Sequence, residues 1–213
     1  MRQIDNQLTR DKIVAELRRE ILYGYLKPHE ELYQDKIAEE LNVSRTPVRE
    51  ALQILANEGL ATVRPNKIAT VNEISVKFLA DFFEIRILLE KEAIRRICKI
   101  GIDTEPLWEY QKAAEKAIQL EDFNLYNVYN GKIHHYIWHA ADNIKLEQLL
   151  SQMWHTMDIG NQARQTALQS HEEHRQIIEC LSKCDLEGGC EIIAAHINRN
   201  FEGMKQHLSQ NLT

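Results

Sequence analysis

Nine histidines punctuate this chain of 213 residues, and eight of them follow residue 73. Read as a helix over 121–141, the segment carries Tyr126, Ile133, Ile137 and Ala140 on its inward stripe. Asn130 and His134 stand at i, i+4 within or beside that stripe, where two side chains on adjacent turns reach one point. His135 and His139 repeat the spacing about 100° further round, the rotation of one residue, next to Lys132 and Asp142. Spacing alone favours the second pair as a metal motif, and face favours the first. Further on, His174 shares a face with Ile177, Ile178 and Leu181, and His196 with Ile192, Ile193 and Ile197, Asn200 following one turn later. Three helices thus each turn one histidine inward. A single inward histidine is ordinarily a core residue with a local partner. Three with an asparagine each need a partner, and a shared divalent metal would serve them all. Neutral imidazoles with one oxygen donor suit Zn, Ni, Co, Mn or Fe. The pattern leaves both readings standing. Arg86 lies beside the apolar face made by Leu79, Phe82, Phe83, Leu89 and Ala93. It is either a surface arginine laying its stem along the core or a buried guanidinium awaiting a carboxylate. Arg164 is a second candidate for that role. The four cysteines form no C-x-x-C pair and read as reduced and structural, the alternative being a metal pair of Cys180 and Cys184 on one helix face.

A second chemistry sits near the N-terminus, in Val43-Ser44-Arg45-Thr46-Pro47-Val48-Arg49-Glu50-Ala51-Leu52. Ser44 is placed to cap a helix with its hydroxyl, and Pro47 falls in the first turn, where a missing N–H does little harm. Val48, Ala51, Leu52 and Leu55 recur at three and four and so bury one face. Arg45, Thr46 and Arg49 remain on the other, at the positive end of the helix. That is the layout of a DNA recognition helix, although an ordinary capped surface helix would share it. The flanks decide. A helix over about 9–24, with Thr9 as N-cap and Gly24 as stop, precedes an extended piece over 26–32. A short helix near 34–41 ends at Asn42, and three residues later the recognition helix begins, the helix-turn-helix pattern. After Gly59, the β-prone runs 60–64 and 68–71 flank Pro65-Asn66-Lys67 as a hairpin. Arg64, Asn66 and Lys67 then form the tip of a wing suited to phosphate or minor-groove contact.

The elements that must position the histidines differ in kind. Residues 73–213 contain no convincing strand and a single proline, Pro106. About six helices are predicted: 75–100, 104–119, 121–141, 143–158 (running on towards 168), 170–183 and 186–208. Ser170-His171-Glu172-Glu173 has the S-x-x-E form of a capping box, and Asp185 is an N-cap for the last helix. Gly188 and Gly189 cost that helix about 1 kcal/mol each relative to Ala, so its start is expected to fray. Residues 1–72 carry 11 basic and 11 acidic residues, so the net charge of −6 lies wholly in the remainder. DNA affinity must therefore come from a local patch. No apolar run approaches the roughly 18 residues of a membrane span and the N-terminus lacks a signal core, so a cytoplasmic protein without membrane contact is expected.

The run Leu26-Lys27-Pro28, Leu32, Ile37-Ala38, then Val43 through Leu52, Leu55 and Glu58-Gly59-Leu60 resembles the DNA-binding domain of GntR-type bacterial transcription regulators. The resemblance spans nearly all of 9–72 and implies that Arg45, Thr46 and Arg49 meet the operator. His29 stands where the family usually has Gly, Tyr33 where a small capping hydroxyl is common, and Asn66 where the wing turn has Gly. Asn130-x-x-Ile133-His134, Ala140-Ala141-x-Asn143-x-x-Leu146, Glu173-His174-Arg175 and His196 likewise resemble the all-helical FCD effector domain of the FadR-type subgroup. That likeness implies a divalent metal on Asn130, His134, His174 and His196, and a small organic acid at the metal and Arg86. Asn130 replaces the usual Asp, which leaves the site more positive by one charge.

The expectation is a mainly α protein: a winged helix-turn-helix over 1–72 and an all-helical effector-binding and dimerisation domain over 73–213. Its function would be that of a homodimeric, ligand-responsive repressor on a pseudo-palindromic operator, not an enzyme. The alternatives are a metal-dependent hydrolase fused to a DNA-binding head, for which Glu173 would be the nearest general base, and a metal-free dimerisation bundle.

Overall fold

The computed structural model describes residues 4–65, 68–154 and 164–211. Its elements run α1 (Ile4–Leu22), β1 (Glu31–Leu32), α2 (Gln34–Glu40), α3 (Arg45–Asn57), β2 (Ala61–Val63), β3 (Ala69–Val71), α4 (Val76–Ile100), α5 (Glu105–Gln119), α6 (Phe123–Ala140), α7 (Ile144–Trp154), α8 (Arg164–Lys183) and α9 (Leu186–Asn211). They form two compact units, Met1–Leu79 with Gly203–Thr213, and Ala80–Glu202.

In the first unit, α3 buries Val48, Ala51, Leu52 and Leu55 completely, the face its spacing predicts. Each of the three larger side chains contributes about 1.5–3 kcal/mol on burial. Ile13, Val14, Leu17 and Ile21 of α1 are buried as well. The guanidinium of Arg18, 2 % exposed, donates through Nε to Glu58 Oε2 at 2.8 Å and through Nη2 to Oε1, fastening α1 to the end of α3. Asn42 (φ 50°) and Gly59 (φ 77°) take the left-handed conformation that ends a helix. Helix α1 starts at Ile4, so Thr9 lies inside it and not at its cap. Ser44 occupies the N-cap of α3, with extended backbone, but its hydroxyl makes no capping bond.

The extended piece before α2 becomes a strand. Glu31 pairs with Thr70 and Leu32 with Ala69, antiparallel, so the sheet order is β1-β3-β2. Its backbone is closed by the His29 amide donating to Val71 O at 2.9 Å. His29 accepts φ 68° for this, a conformation costly for any residue with a Cβ.

The regular elements described in the second unit are all helices. The Asp122 carboxylate caps α6 by accepting from the Leu125 amide at 2.9 Å. Asp185 caps α9 by accepting from the Gly188 amide at 3.0 Å. The glycines after it do not fray the helix. A Cβ at Gly189 would stand 3.0 Å from Ile94 Cγ2, so the missing side chain lets α9 approach α4. One predicted boundary is overturned. Ser170 lies well inside α8, which begins at Arg164; Ser170 and Glu173 bond to Arg199 from α9, and those tertiary partners replace the local capping box. The expected extension of 143–158 falls partly outside the described residues.

Candidate functional site

The second unit gathers His134 from α6, His174 from α8 and His196 from α9, each at most 3 % exposed. One nitrogen of each lies within 4.8 Å of the others, and this is the one such group of potential metal ligands among the described residues. His134 Nε2 and His174 Nε2 are 3.1 Å apart. The convergence follows from the stripes: Ile133 and Ile137, Ile177 and Ile178, and Ile193 and Ile197 are all buried, so each helix turns its histidine to the same core.

Two of the three, His134 and His196, turn their outer nitrogens towards carboxylates. His196 Nδ1 stands 2.6 Å from Glu173 Oε2, and Arg199 donates to the same carboxylate through Nε at 2.9 Å and Nη2 at 2.7 Å. His134 Nδ1 is 3.6 Å from Glu90 Oε1, too long for a hydrogen bond but close in charge terms. A carboxylate behind an imidazole fixes its tautomer and raises its donor strength toward a metal. Burial pushes all three histidines below the ordinary imidazole value, His196 to about 4 and His174 well down, against the pull of Glu173 on His196 and Glu90 on His134. They are neutral near pH 7, the form that coordinates. Burial would raise Glu173, but its bonds to His196 and Arg199 outweigh that and hold it at about 2.

Asn130 sits one turn before His134 on α6. Its Oδ1 is buried and has no hydrogen-bond partner among the described residues. Buried acceptors are rarely left so, and an amide oxygen is a ligand type that, together with imidazoles, suits a divalent metal.

Arg86 is wholly buried, not a surface residue. Its Nη2 reaches Glu90 Oε1 only at 3.5 Å, and its Nε and Nη1 lack partners among the described residues. Its guanidinium lies 5.3 Å from the centre of the Trp154 ring, and that ring is 4.6 Å from the ring of His134. Glu90 is anchored by Trp138, whose indole Nε1 donates to Oε2 at 2.8 Å. Despite the burial penalty, the surroundings of His134, Arg86 and Trp138 keep the Glu90 carboxyl below its ordinary value.

Other sequence candidates lie elsewhere. Arg164 is 62 % exposed and pairs with Glu121 at 3.3 Å. His139 is exposed and meets Glu147 at 3.3 Å, while His135 packs its ring against Trp138. The four cysteines are free. Cys180 Sγ lies 3.7 Å from Asp185 Oδ2, and Cys184 is exposed. Glu90, Trp138, Trp154 and Arg199 were not singled out by sequence. The signal for Glu90 was present, four residues after Arg86 on one helix face.

In the first unit, Ser44, Arg45, Thr46, Arg49 and Arg64 are exposed. Arg45, Thr46 and Arg49 line an open cleft of about 350 Å³ with Tyr33, Gln34, Asp35 and Ile68. Two of the arginines face acids: Arg45 Nε is 2.8 Å from Asp35 Oδ1, and Arg64 Nη1 is 3.1 Å from Glu31 Oε1. Asn66 and Lys67 lie outside the described residues.

Comparison with known proteins follows this division. The family model for bacterial regulatory proteins of the gntR family matches residues 9–71, and that of the FCD domain matches 81–199. The uncharacterized HTH-type transcriptional regulator YdhC of Bacillus subtilis is 28 % identical, over 92 % of this chain and 90 % of its own. The gluconate operon transcriptional repressor of the same organism is 29 % identical, over 69 % of this chain and 61 % of its own. Among solved structures, E. coli McbR/YncC superposes with a TM-score of 0.72 at 24 % identity, covering 92 % of this chain and 97 % of that one.

Proposed function

This chain belongs to the GntR family of bacterial regulatory proteins and carries an FCD domain, and on that premise we propose that it is a dimeric repressor whose operator affinity responds to a small carboxylate. GntR regulators bind DNA and FCD domains bind small effectors. The observation that carries the reading is the convergence of three neutral imidazoles, in a unit that also buries polar atoms without partners among the described residues: Asn130 Oδ1, one turn from His134, and Arg86 Nε and Nη1.

In this reading Asn130, His134, His174 and His196 hold a divalent metal, zinc foremost, with Ni, Co, Mn or Fe as other fits. Bound there, the metal would supply a Lewis-acidic centre that accepts a carboxylate oxygen. The chain's own residues do the rest. Glu90 and Glu173 orient His134 and His196. Arg86 offers its unpartnered N–H groups to the effector, and its planar fork suits a carboxylate. Trp154 packs its ring, tilted, against His134 and flanks Arg86, which lowers the local dielectric and strengthens both contacts.

On the DNA side, Arg45, Thr46 and Arg49 enter the major groove of one half-site. Arg64, with Asn66 and Lys67, follows the backbone or minor groove. A two-fold dimer then reads a pseudo-palindrome. The effector acts by binding one of two conformational states more tightly than the other.

The hydrolase reading needs a carboxylate free to take a proton. Glu173 is occupied by His196 and Arg199 and is held at about 2, which favours a binding site over a hydrolytic one. Three measurements on the full-length protein test the proposal: metal content, calorimetric titration with carboxylates, and anisotropy on operator DNA. The expected result is about one metal ion per chain, lost in His134→Ala, and an operator affinity that a bound carboxylate changes. A metal-free protein with unaltered operator affinity across carboxylates would refute it.

A further inference from the structure

The charges around the centre make a sum that bears on what the effector is. Arg86 stands against Glu90, both buried, and Arg199 pairs with Glu173 at 2.7 Å. Among the described residues these four cancel. The three histidines coordinate as neutral imidazoles, and Asn130 brings a neutral amide oxygen. A divalent cation in this set therefore adds two positive charges that no described side chain offsets. Unbalanced charge taken out of water is costly, and the cost rises steeply with its size.

We propose that the site selects a dianion, a small dicarboxylate in preference to a monocarboxylate, and that Asn130 is the residue that sets this preference. The inference rests on the metal-and-carboxylate reading above. A monocarboxylate cancels one of the two charges and leaves the other buried. A dicarboxylate cancels both. The donors fall into two groups, the imidazole-and-amide set and the Arg86 guanidinium, each adjoining Trp154 through His134 or directly. Two separate carboxylates serve two such groups better than one compact anion. Arg86 has capacity for the second, since Glu90 engages only Nη2, at 3.5 Å, and Nε and Nη1 have no partner among the described residues.

The test is calorimetric titration of the zinc-loaded full chain with malonate and succinate, with acetate and propionate, and with inorganic phosphate, in wild type and Asn130→Asp. Zinc affinity of both forms is read separately by competition with a chromophoric chelator. Wild type is expected to bind a dicarboxylate at least about tenfold more tightly than either monocarboxylate, a difference of about 1.4 kcal/mol. Asn130→Asp brings one negative charge, so zinc should bind more tightly and the dicarboxylate preference should fall by about tenfold, the same 1.4 kcal/mol. Equal binding of both classes by wild type would overturn the proposal and leave the carboxylate sensor standing. So would a preference that Asn130→Asp leaves unchanged, since Asn130 would not be its cause. Phosphate binding more tightly than any dicarboxylate overturns the two-carboxylate assignment. No binding by any of the five anions refutes the sensor reading itself. Because wild type alone tests the preference, the proposal stays falsifiable even where Asn130→Asp folds poorly.

Discussion

Replacing Glu90 with Gln should damage this protein more than its conservative appearance suggests. Glu90 and Arg86 are 1 % and 0 % exposed, with Oε1 and Nη2 3.5 Å apart. At an effective dielectric near 20, two unit charges at that distance attract by about 5 kcal/mol. The amide removes this and also relieves the burial cost of the carboxylate. The guanidinium is then an uncompensated buried cation, for which losses of about 3–5 kcal/mol are typical. An amide oxygen can still accept from Trp138 Nε1, so that bond survives. Its NH2 group then faces Arg86, donor against donor. All three tryptophans, Trp108, Trp138 and Trp154, lie in residues 80–202, so tryptophan fluorescence in urea reports this unit alone. The midpoint of Glu90→Gln should fall by the equivalent of about 3–5 kcal/mol. Removing both charges, as Arg86→Met with Glu90→Leu, should cost less, about 1–3 kcal/mol, chiefly for the stranded Trp138 N–H. If Glu90→Gln lies within about 1 kcal/mol of wild type, below the range expected for a broken buried pair, then Arg86 is balanced by something else and the charge sum above fails.

The metal-free effector unit should lose stability on mild acidification. His134, His174 and His196 are all held below the unfolded value of 6.5 by burial, His196 to about 4. The unfolded chain therefore binds more protons between about pH 6.5 and 4. Stability is full above that window and falls as pH drops through it, by up to about 1.4 kcal/mol per unit for each imidazole; a urea midpoint flat from pH 7 to 5 would contradict this. Arg45→Ala should cost about 1–3 kcal/mol of operator affinity and relax base preference, as measured by anisotropy on operator variants; a uniform loss across sequences would make Arg45 a phosphate contact. The Arg45–Asp35 pair, 74 % and 67 % exposed, is worth at most about 1 kcal/mol, so Asp35→Asn should strengthen binding to unrelated DNA, and no change there would mean that Asp35 does not restrain the arginine. His29→Gly should raise the calorimetric stability of the first unit by about 1 kcal/mol, because Gly carries no penalty at φ 68°; a loss would show that the His29 side chain is stabilising.

Periodicity made the helices legible because their apolar stripes are what the fold buries. Val48, Ala51, Leu52 and Leu55 of α3 were identifiable before any coordinates, and so were Ile177, Ile178 and Leu181 of α8. The failures come from places where distant partners override a local rule. Ser170-x-x-Glu173 has the form of a capping box, yet Arg199, 26 residues beyond Glu173, takes both side chains. The strand Glu31–Leu32 was hidden because two residues carry no readable alternation, and its pairing with β3 closes over a gap of nearly forty residues. Gly189 read as a weak point in a helix. Its use is a close approach to Ile94 on another helix, and that lies beyond any pattern within one segment.

The site divides along the same line. Side chains on inward stripes, His134, His174 and His196, were found because apolar neighbours mark the face they share. Glu90 was passed over because a carboxylate in a helix is ordinarily solvated, and nothing in its neighbours says that it is buried. The one available clue was relational. Arg86 and Glu90 stand at i, i+4, as do Asn130 and His134, and an inward arginine has to be matched by an acid that can follow it inside. Once Arg86 is taken as buried, a carboxylate within one turn becomes a requirement, since an isolated charge does not stay in a core. The same search for a partner, applied to His134 and His196, points to the carboxylates behind them, Glu90 and Glu173. Applied to the unpartnered Oδ1 of Asn130, an acceptor, it points to a cation, and the buried charge that cation would bring points in turn to an anion from outside.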